Sequence, residues 1–183
     1  MTGKERRRVN NFLVLAFILL AGLLVFSCSR GGKTPQEKKA ATEGATEAPS
    51  FVLADTHNHE VRLSDFRGKV ILLEFWATWC PPCRATIPEL IALQKKFVEK
   101  AFSVVVVSLD EGPDLSSKLD DFSRELKINY PVLLGTEDVE RAYRVTSIPM
   151  TYLIDKDGNI VASYMGYIDN FQAVISGRIE KLL

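Results

Sequence analysis

The 183-residue chain predicts an α/β domain, a mixed β-sheet flanked by helices. Three observations carry the prediction. Two apolar runs with the length of buried strands, 70–76 and 102–108, alternate with stretches of helical periodicity. Asp155-Lys156-Asp157-Gly158-Asn159 separates two further strand-like runs and has Asp-Gly at its centre, the chemistry of a tight hairpin. Residues 51–183 are numerous enough to enclose one hydrophobic core.

Each element follows from local pattern. Residues 51–53 and 61–63 predict short strands around the polar turn Asp55-Thr56-His57-Asn58-His59, an extra β-hairpin at the N-terminal side of the domain. Residues 64–68 read as a helical turn ending at Gly68. The run 70–76 is apolar except for Glu74, as a strand covered on both faces requires. A helix is predicted over 81–100, with Ile87, Leu90, Ile91, Leu93, Phe97 and Val98 at helical spacing. Lys95, Lys96 and Lys100 sit near its C-terminal end, and Pro88 should kink it. A strand over 102–108 precedes an amphipathic helix over 114–127 with Leu115, Leu119, Phe122 and Leu126 on one stripe. A short strand at 132–134, a short helix at 137–144, strands at 150–154 and 160–164, and a closing helix over 169–182 complete the domain.

The rest of the chain is an address and a tether. Lys4, Arg6, Arg7 and Arg8 stand against Glu5 alone, and residues 12–26 then run without a polar side chain. A basic start before an apolar core is a secretory signal. Fifteen helical residues span about 22 Å, short of the ~30 Å hydrocarbon core, although an uncleaved signal anchor over 1–27 stays open. Val25-Phe26-Ser27-Cys28 resembles a bacterial lipobox, in which the cysteine is lipidated after cleavage just before it. Val25 and Ser27 fit that pattern, and Phe26 is bulkier than the usual residue. Both readings tether the protein to a membrane and place the domain outside the cytoplasm. Residues 29–50 contain no aromatic residue and no Val, Ile, Leu or Met, so 28–50 is expected to be a lipidated cysteine followed by a disordered tether.

Composition excludes several classes. Twenty-three basic and 23 acidic residues leave no chain-wide positive field for nucleic acid. The 46% hydrophobic content opposes disorder overall, and three cysteines are too few for a disulfide-stapled miniature scaffold.

The chemistry concentrates at Trp79-Cys80-Pro81-Pro82-Cys83. Two cysteines three apart where a buried strand meets a helix form a redox motif. Cys80 would occupy the helix N-cap region, where free N–H groups and the helix dipole favour a thiolate. Pro81 suits the first helical position. Cys83, one turn on, is placed to attack a mixed disulfide formed at Cys80. A purely structural disulfide and half of a zinc site are the alternatives. So short a loop would stabilise little, and with no second C-x-x-C pair the only further ligand candidates in the domain are His57 and His59 in their turn.

Phe75-Trp76-Ala77-Thr78-Trp79-Cys80-Pro81-Pro82-Cys83-Arg84 resembles the active site of thioredoxin-fold proteins, most closely the membrane-tethered TlpA/ResA-like thiol-disulfide oxidoreductases. The resemblance extends over residues 51 to about 180, including the extra N-terminal hairpin and the insert around 110–130. It implies a thioredoxin fold, a redox-active Cys80–Cys83 disulfide and no bound cofactor or metal. Pro88 matches the proline that bends the active-site helix. Ser147-Ile148-Pro149-Met150-Thr151 matches the loop whose proline is cis, so Pro149 would pack against the disulfide and the Ile148 backbone would pair with substrate. Trp79, Pro81 and Pro82 would line the same substrate surface.

Two positions depart from the resemblance. Glu74 lies six residues before Cys80, where thioredoxins carry a buried aspartate and TlpA-like sequences often a neutral residue. Buried in an apolar run, its carboxylate should have a raised pKa and could accept a proton from Cys83; a carboxylate satisfied by a structural partner is the alternative. ResA-like proteins carry a glutamate three residues after the second cysteine, and this chain has Thr86 there.

The resulting expectation is a protein disulfide oxidoreductase on the outer side of the membrane. Reduced Cys80 attacks a substrate disulfide, and Cys83 resolves the mixed disulfide. The resemblance implies a membrane electron donor of the DsbD/CcdA kind and substrates such as apocytochrome c. Three other classes compete. A thiol peroxidase would carry Pro-x-x-x-Thr before its cysteine, whereas Ala77-Thr78-Trp79 precedes Cys80. An SCO-like copper chaperone needs C-x-x-x-C with a later histidine, but both histidines precede the motif here. A non-catalytic docking module would use Trp76, Trp79 and the proline loop alone.

Overall fold

The computed structural model describes residues 46–183. The signal or anchor at 1–27, the lipidation candidate Cys28 and the tether up to residue 45 lie outside the described residues. No helix among the described residues is long and apolar enough to cross a membrane.

A six-stranded sheet forms the centre, in the order β1-β8-β7-β4-β5-β6. Its strands are β1 (Thr46–Glu47), β4 (Val70–Trp76), β5 (Phe102–Ser108), β6 (Val132–Leu134), β7 (Met150–Ile154) and β8 (Asn159–Met165). β4, β5 and β6 run parallel, while β7 and β8 are antiparallel to their neighbours, so the sheet is mixed as expected. The extra hairpin pairs β2 (Val52–Ala54) with β3 (Glu60–Arg62), and Asp55 bridges it to Leu133 on β6. The helices are α1 (Pro81–Lys96), α2 (Leu115–Glu125), α3 (Glu137–Ala142) and α4 (Phe171–Leu182), with a 3-10 turn over Leu63–Phe66.

Every residue of β4 is buried. Side chains alternate along a strand, so β4 serves two cores. Val70, Leu72 and Trp76 pack with Ile87, Leu90 and Leu93 of α1 and with Phe171, Ile175 and Ile179 of α4. Ile71, Leu73 and Phe75 pack with Phe51 and Leu53 of the hairpin side, Val139 of α3, Tyr143 and Tyr152. Glu74 belongs by alternation to the first face, beneath α1.

Three expectations need correction. The tether does not stay loose up to Ser50. Thr46 and Glu47 pair with Ile160 and Asn159, Ala48 is buried with its N–H donating to Gly158 O, and Tyr143 Oη donates to Pro49 O over 2.7 Å. Backbone pairing to the β8 edge orders this stretch without any large apolar residue, which is why composition concealed it. α1 ends at Lys96 rather than at residue 100. Phe97 turns out of the helix to meet Phe102 at a centroid distance of 5.4 Å, and Val98, expected on the apolar stripe, is exposed. α2, α3 and α4 are each shorter than the periodicity predicted. Asp114 and Asn170 take left-handed φ of 58° and 56° just ahead of α2 and α4.

Asn170 provides no side-chain cap for α4. Glu89 on α1 does so instead, its Oε2 accepting from Gln172 N at 2.7 Å. A carboxylate at a helix N-terminus satisfies a free donor and complements the dipole. This contact ties the closing helix to the helix that carries the cysteines.

Burial of Ala48 distinguishes an ordered β1 segment from a solvated tether. Ala48→Asp should destabilise the protein by about 2 kcal/mol in urea unfolding, because it places an unpaired charge at a buried position. A solvated tether would tolerate it without change.

Candidate active site

The buried end of β4 delivers the chain directly to the cysteines. Cys80 is the N-cap of α1, with extended φ/ψ of −90° and 106°, and Pro81 and Pro82 occupy the first two helical positions. Neither proline has an N–H to leave unpaired there. The Cys83 N–H donates to Cys80 Sγ at 3.3 Å. Cys80 and Cys83 are joined in a disulfide with Cα atoms 5.3 Å apart, and both are buried. On reduction, the same N–H and the helix N-terminus face Cys80 Sγ and favour its thiolate.

Ile148–Pro149 is a cis peptide bond, and the Ile148 carbonyl oxygen lies 3.9 Å from Cys80 Sγ. A disulfide sulfur has no hydrogen to donate, so this is a contact that sets backbone beside the sulfur. Pro149 is buried, Ile148 is half-buried, and Pro81 and Pro82 are exposed. Trp79 is the most exposed large apolar side chain among the described residues, at 67%.

The loop before Cys80 is held by Asp110, which sequence reasoning missed. Its carboxylate accepts from Thr78 N at 2.9 Å, Thr78 Oγ1 at 2.5 Å and Ser108 Oγ at 2.7 Å. Arg84 donates to Thr78 O at 3.4 Å and lies over the Phe122 ring at 5.3 Å, while Phe122 packs on Trp76 at 5.4 Å. Asp110 lies in the linking segment after β5. No local signal couples it to Thr78; the parallel pairing of β4 with β5 does.

A second missed feature borders the cis proline. The N–H of Gly166 donates to Pro149 O at 2.8 Å, with φ of 81° that favours glycine. Its neighbours Met165 and Tyr167 are exposed at 54% and 48%. His57 and His59, given no site role, face Asp120 at 3.6 Å and Asp55 at 3.3 Å in their turn.

Glu74 is 1% exposed and sits beside Thr151 in the β4–β7 register. Thr86 Oγ1 is 2.9 Å from Glu74 Oε1, and Thr151 Oγ1 donates to Glu74 Oε2 at 3.0 Å. No cation pairs with the carboxylate among the described residues. Burial pushes its pKa up to about 7; the two threonine hydroxyls oppose the rise, and the charge of Glu89 adds to it. A carboxyl poised there exchanges protons near neutrality.

Comparison with known proteins gives this geometry a family. Residues 45–163 match the model of the AhpC/TSA family. The chain is 33% identical over 156 residues to the thiol-disulfide oxidoreductase ResA of Bacillus thuringiensis subsp. konkukian, covering 85% of this chain and 87% of that one. It is 39% identical over 159 residues to ResA of Geobacillus kaustophilus, covering 86% of each. The chain belongs to the AhpC/TSA family and is a ResA-like thiol-disulfide oxidoreductase. Solved structures agree on the fold. A thiol:disulfide interchange protein of the thioredoxin family from Chlorobium tepidum superposes with a TM-score of 0.65 at 27% identity, covering 74% of this chain and 97% of that one. The thioredoxin domain of a thiol-disulfide oxidoreductase from Bacteroides vulgatus gives a TM-score of 0.65 at 27% identity, covering 73% and 96%. The chain therefore has a thioredoxin-like fold, and its substrates are protein thiols and disulfides.

The buried acid makes stability depend on pH. Below about pH 4.5 Glu74 is protonated in both folded and unfolded chains and costs nothing. As pH rises from there through about 7, the unfolded chain ionises first, so stability is lost, and the loss is complete above the folded pKa. Relative to Glu74→Gln, the oxidised wild type should lose on the order of 3 kcal/mol between pH 4.5 and pH 8 in denaturant unfolding. Parallel profiles for the two proteins would show that Glu74 is solvated or charge-paired.

Proposed function

We propose that the protein is an extracytoplasmic, membrane-tethered reductant of protein disulfides acting through Cys80 and Cys83. One observation carries this reading: the Cys80–Cys83 pair opens α1 directly beneath the Ile148 carbonyl and the cis proline, so a chain docking on that backbone edge meets the sulfur. Reduced Cys80 attacks the substrate disulfide, forms a mixed disulfide and releases one substrate thiolate. Cys83 then passes its thiol proton to Glu74 and attacks Cys80 Sγ. The Cys80–Cys83 bond forms, the Cys80–substrate bond breaks, and the second substrate thiolate leaves. Two electrons pass to the substrate, and a membrane donor of the DsbD/CcdA kind returns two.

Trp79, Pro81, Pro82, Ile148 and Pro149 form the substrate surface in this reading. The basic start, the apolar run 12–26 and Cys28 support export and a lipid anchor. Cytochrome c maturation, with the haem-site cysteines of apocytochrome c as substrate, suits a reductant on that side of the membrane.

Two experiments test the proposal. Cys83→Ser should accumulate a mixed disulfide with substrate in cells, Cys80→Ser should abolish it, and the Cys80–Cys83 couple should have a potential near about −270 mV. A potential near about −120 mV would make the protein an oxidant instead. Faster consumption of hydrogen peroxide than of disulfides would make it a peroxidase. For the anchor, wild type should incorporate labelled fatty acid and sediment with membranes, and Cys28→Ala should lose the label. Sedimentation with no label in either protein would mean an uncleaved signal anchor.

A further inference from the structure

Thr86 stands between the buried acid and the resolving cysteine. Its Oγ1 is 2.9 Å from Glu74 Oε1 and 2.8 Å from the carbonyl oxygen of Cys83. Thr86 is itself buried. A threonine hydroxyl has one hydrogen and can donate only once, although it can also accept. The two acceptors therefore compete for it, and the charge of Glu74 decides the competition.

With Glu74 protonated on Oε1, the carboxyl donates to Thr86 Oγ1, Thr86 donates to Cys83 O, and Thr151 donates to Oε2. Every group is satisfied. With Glu74 ionised, both threonines donate to the carboxylate, and the Cys83 carbonyl loses the hydroxyl. Hydrogen bonds to a charged acceptor are the stronger ones, so the hydrogen follows the charge. We propose that Thr86 is a positioning residue whose single hydroxyl hydrogen goes to the Cys83 carbonyl when Glu74 holds a proton and to Glu74 when it does not. The charge of the acid is thus reported to the turn of α1 that carries the attacking sulfur. This inference rests on Glu74 acting as the proton acceptor for Cys83.

The surroundings leave Thr86 in that role. From α1 the carboxylate is faced by Glu89, whose charge opposes its ionisation, and by the turn bearing Cys83. From the segment ahead of β6 it feels Tyr130, a buried phenol held neutral by its own desolvation and by the Glu74 charge. β5 presents Val106 and β7 presents Thr151 at the paired positions. No cation takes part among the described residues, so the hydroxyls of Thr86 and Thr151 are what stabilise the ionised form.

The resolution step can be read alone. Reduced full-length protein is mixed with the disulfide dithiobis(nitrobenzoate), which leaves a mixed disulfide on Cys80 and releases one thionitrobenzoate; release of the second by Cys83, as the Cys80–Cys83 bond forms, is followed across pH. Wild type should show a limb with its midpoint near about pH 7. Thr86→Val, which keeps the shape and removes the hydroxyl, should move that midpoint upward by about one pH unit. Thr86→Ser should return it to the wild-type position. Infrared titration of the Glu74 carboxyl in the oxidised proteins should follow the same order, and its return in Thr86→Ser separates the hydroxyl from packing. If Glu74→Gln removes the limb but Thr86→Val leaves the midpoint in place, the role of Thr86 is refuted while Glu74 stands. If the limb persists in Glu74→Gln, the reading of Glu74 fails and the inference fails with it. A shift in Thr86→Val that Thr86→Ser does not reverse is a packing effect and equally overturns the proposal.

Discussion

Complete burial of β4 is the constraint on which the rest of the molecule depends. A strand covered on both faces cannot slip by one residue without exchanging its two cores. The seven residues from Val70 to Trp76 are therefore fixed in register against β5 and β7. The chain leaves that strand with little freedom, and only four residues separate its end from the start of α1. Asp110, just beyond the end of the neighbouring strand, clamps the intervening loop. The disulfide is placed by the sheet, and the loop only closes the gap.

The same constraint explains why Glu74 is both costly and usable. Alternation along β4 points its side chain at α1, under the turn that carries Cys83 and Thr86. A carboxylate there is almost fully buried and has no counter-ion among the described residues. It persists because two hydroxyls from separate elements, Thr86 on α1 and Thr151 on β7, meet its two oxygens. Full neutralisation by a buried cation would lower its proton affinity and end its use near neutrality. Partial satisfaction holds it near the middle of the useful range. Glu89 belongs to the same balance. It caps α4, which fixes its charge close enough to Glu74 to oppose ionisation, so helix docking and proton affinity share one side chain.

Much of this was legible in the sequence because the decisive features are local. Strand periodicity, the Asp157-Gly158 turn, the proline-capped C-x-x-C and the Ser147–Thr151 stretch each occupy a few consecutive residues, and each corresponds to an element of the structure. What escaped was set by partners distant in sequence. β1 has no hydrophobic signal because it is held by backbone pairing to β8. Asp110 and Glu89 resemble ordinary surface residues until strand register and helix docking bring them to Thr78 and Gln172, and the sequence places Thr151 in a strand without showing that it faces Glu74. Val98 was misplaced because helical spacing continues in the sequence past the point where Phe97 turns away to meet Phe102.

Thr86 shows where reading residue types one at a time stops working. At a position where the resemblance noted in the sequence implies a glutamate, it registers as a missing acid. In the folded protein the acid is not missing from the site. It comes instead from β4, and Thr86 is the group that receives it. Glu74, on the central strand, is desolvated by the whole first core, and that burial raises its proton affinity. The helix position beside it carries a hydroxyl, which can both accept from the acid and donate to it. That reciprocity is available to a hydroxyl in either state of the acid, whereas a second ionised carboxylate could only accept.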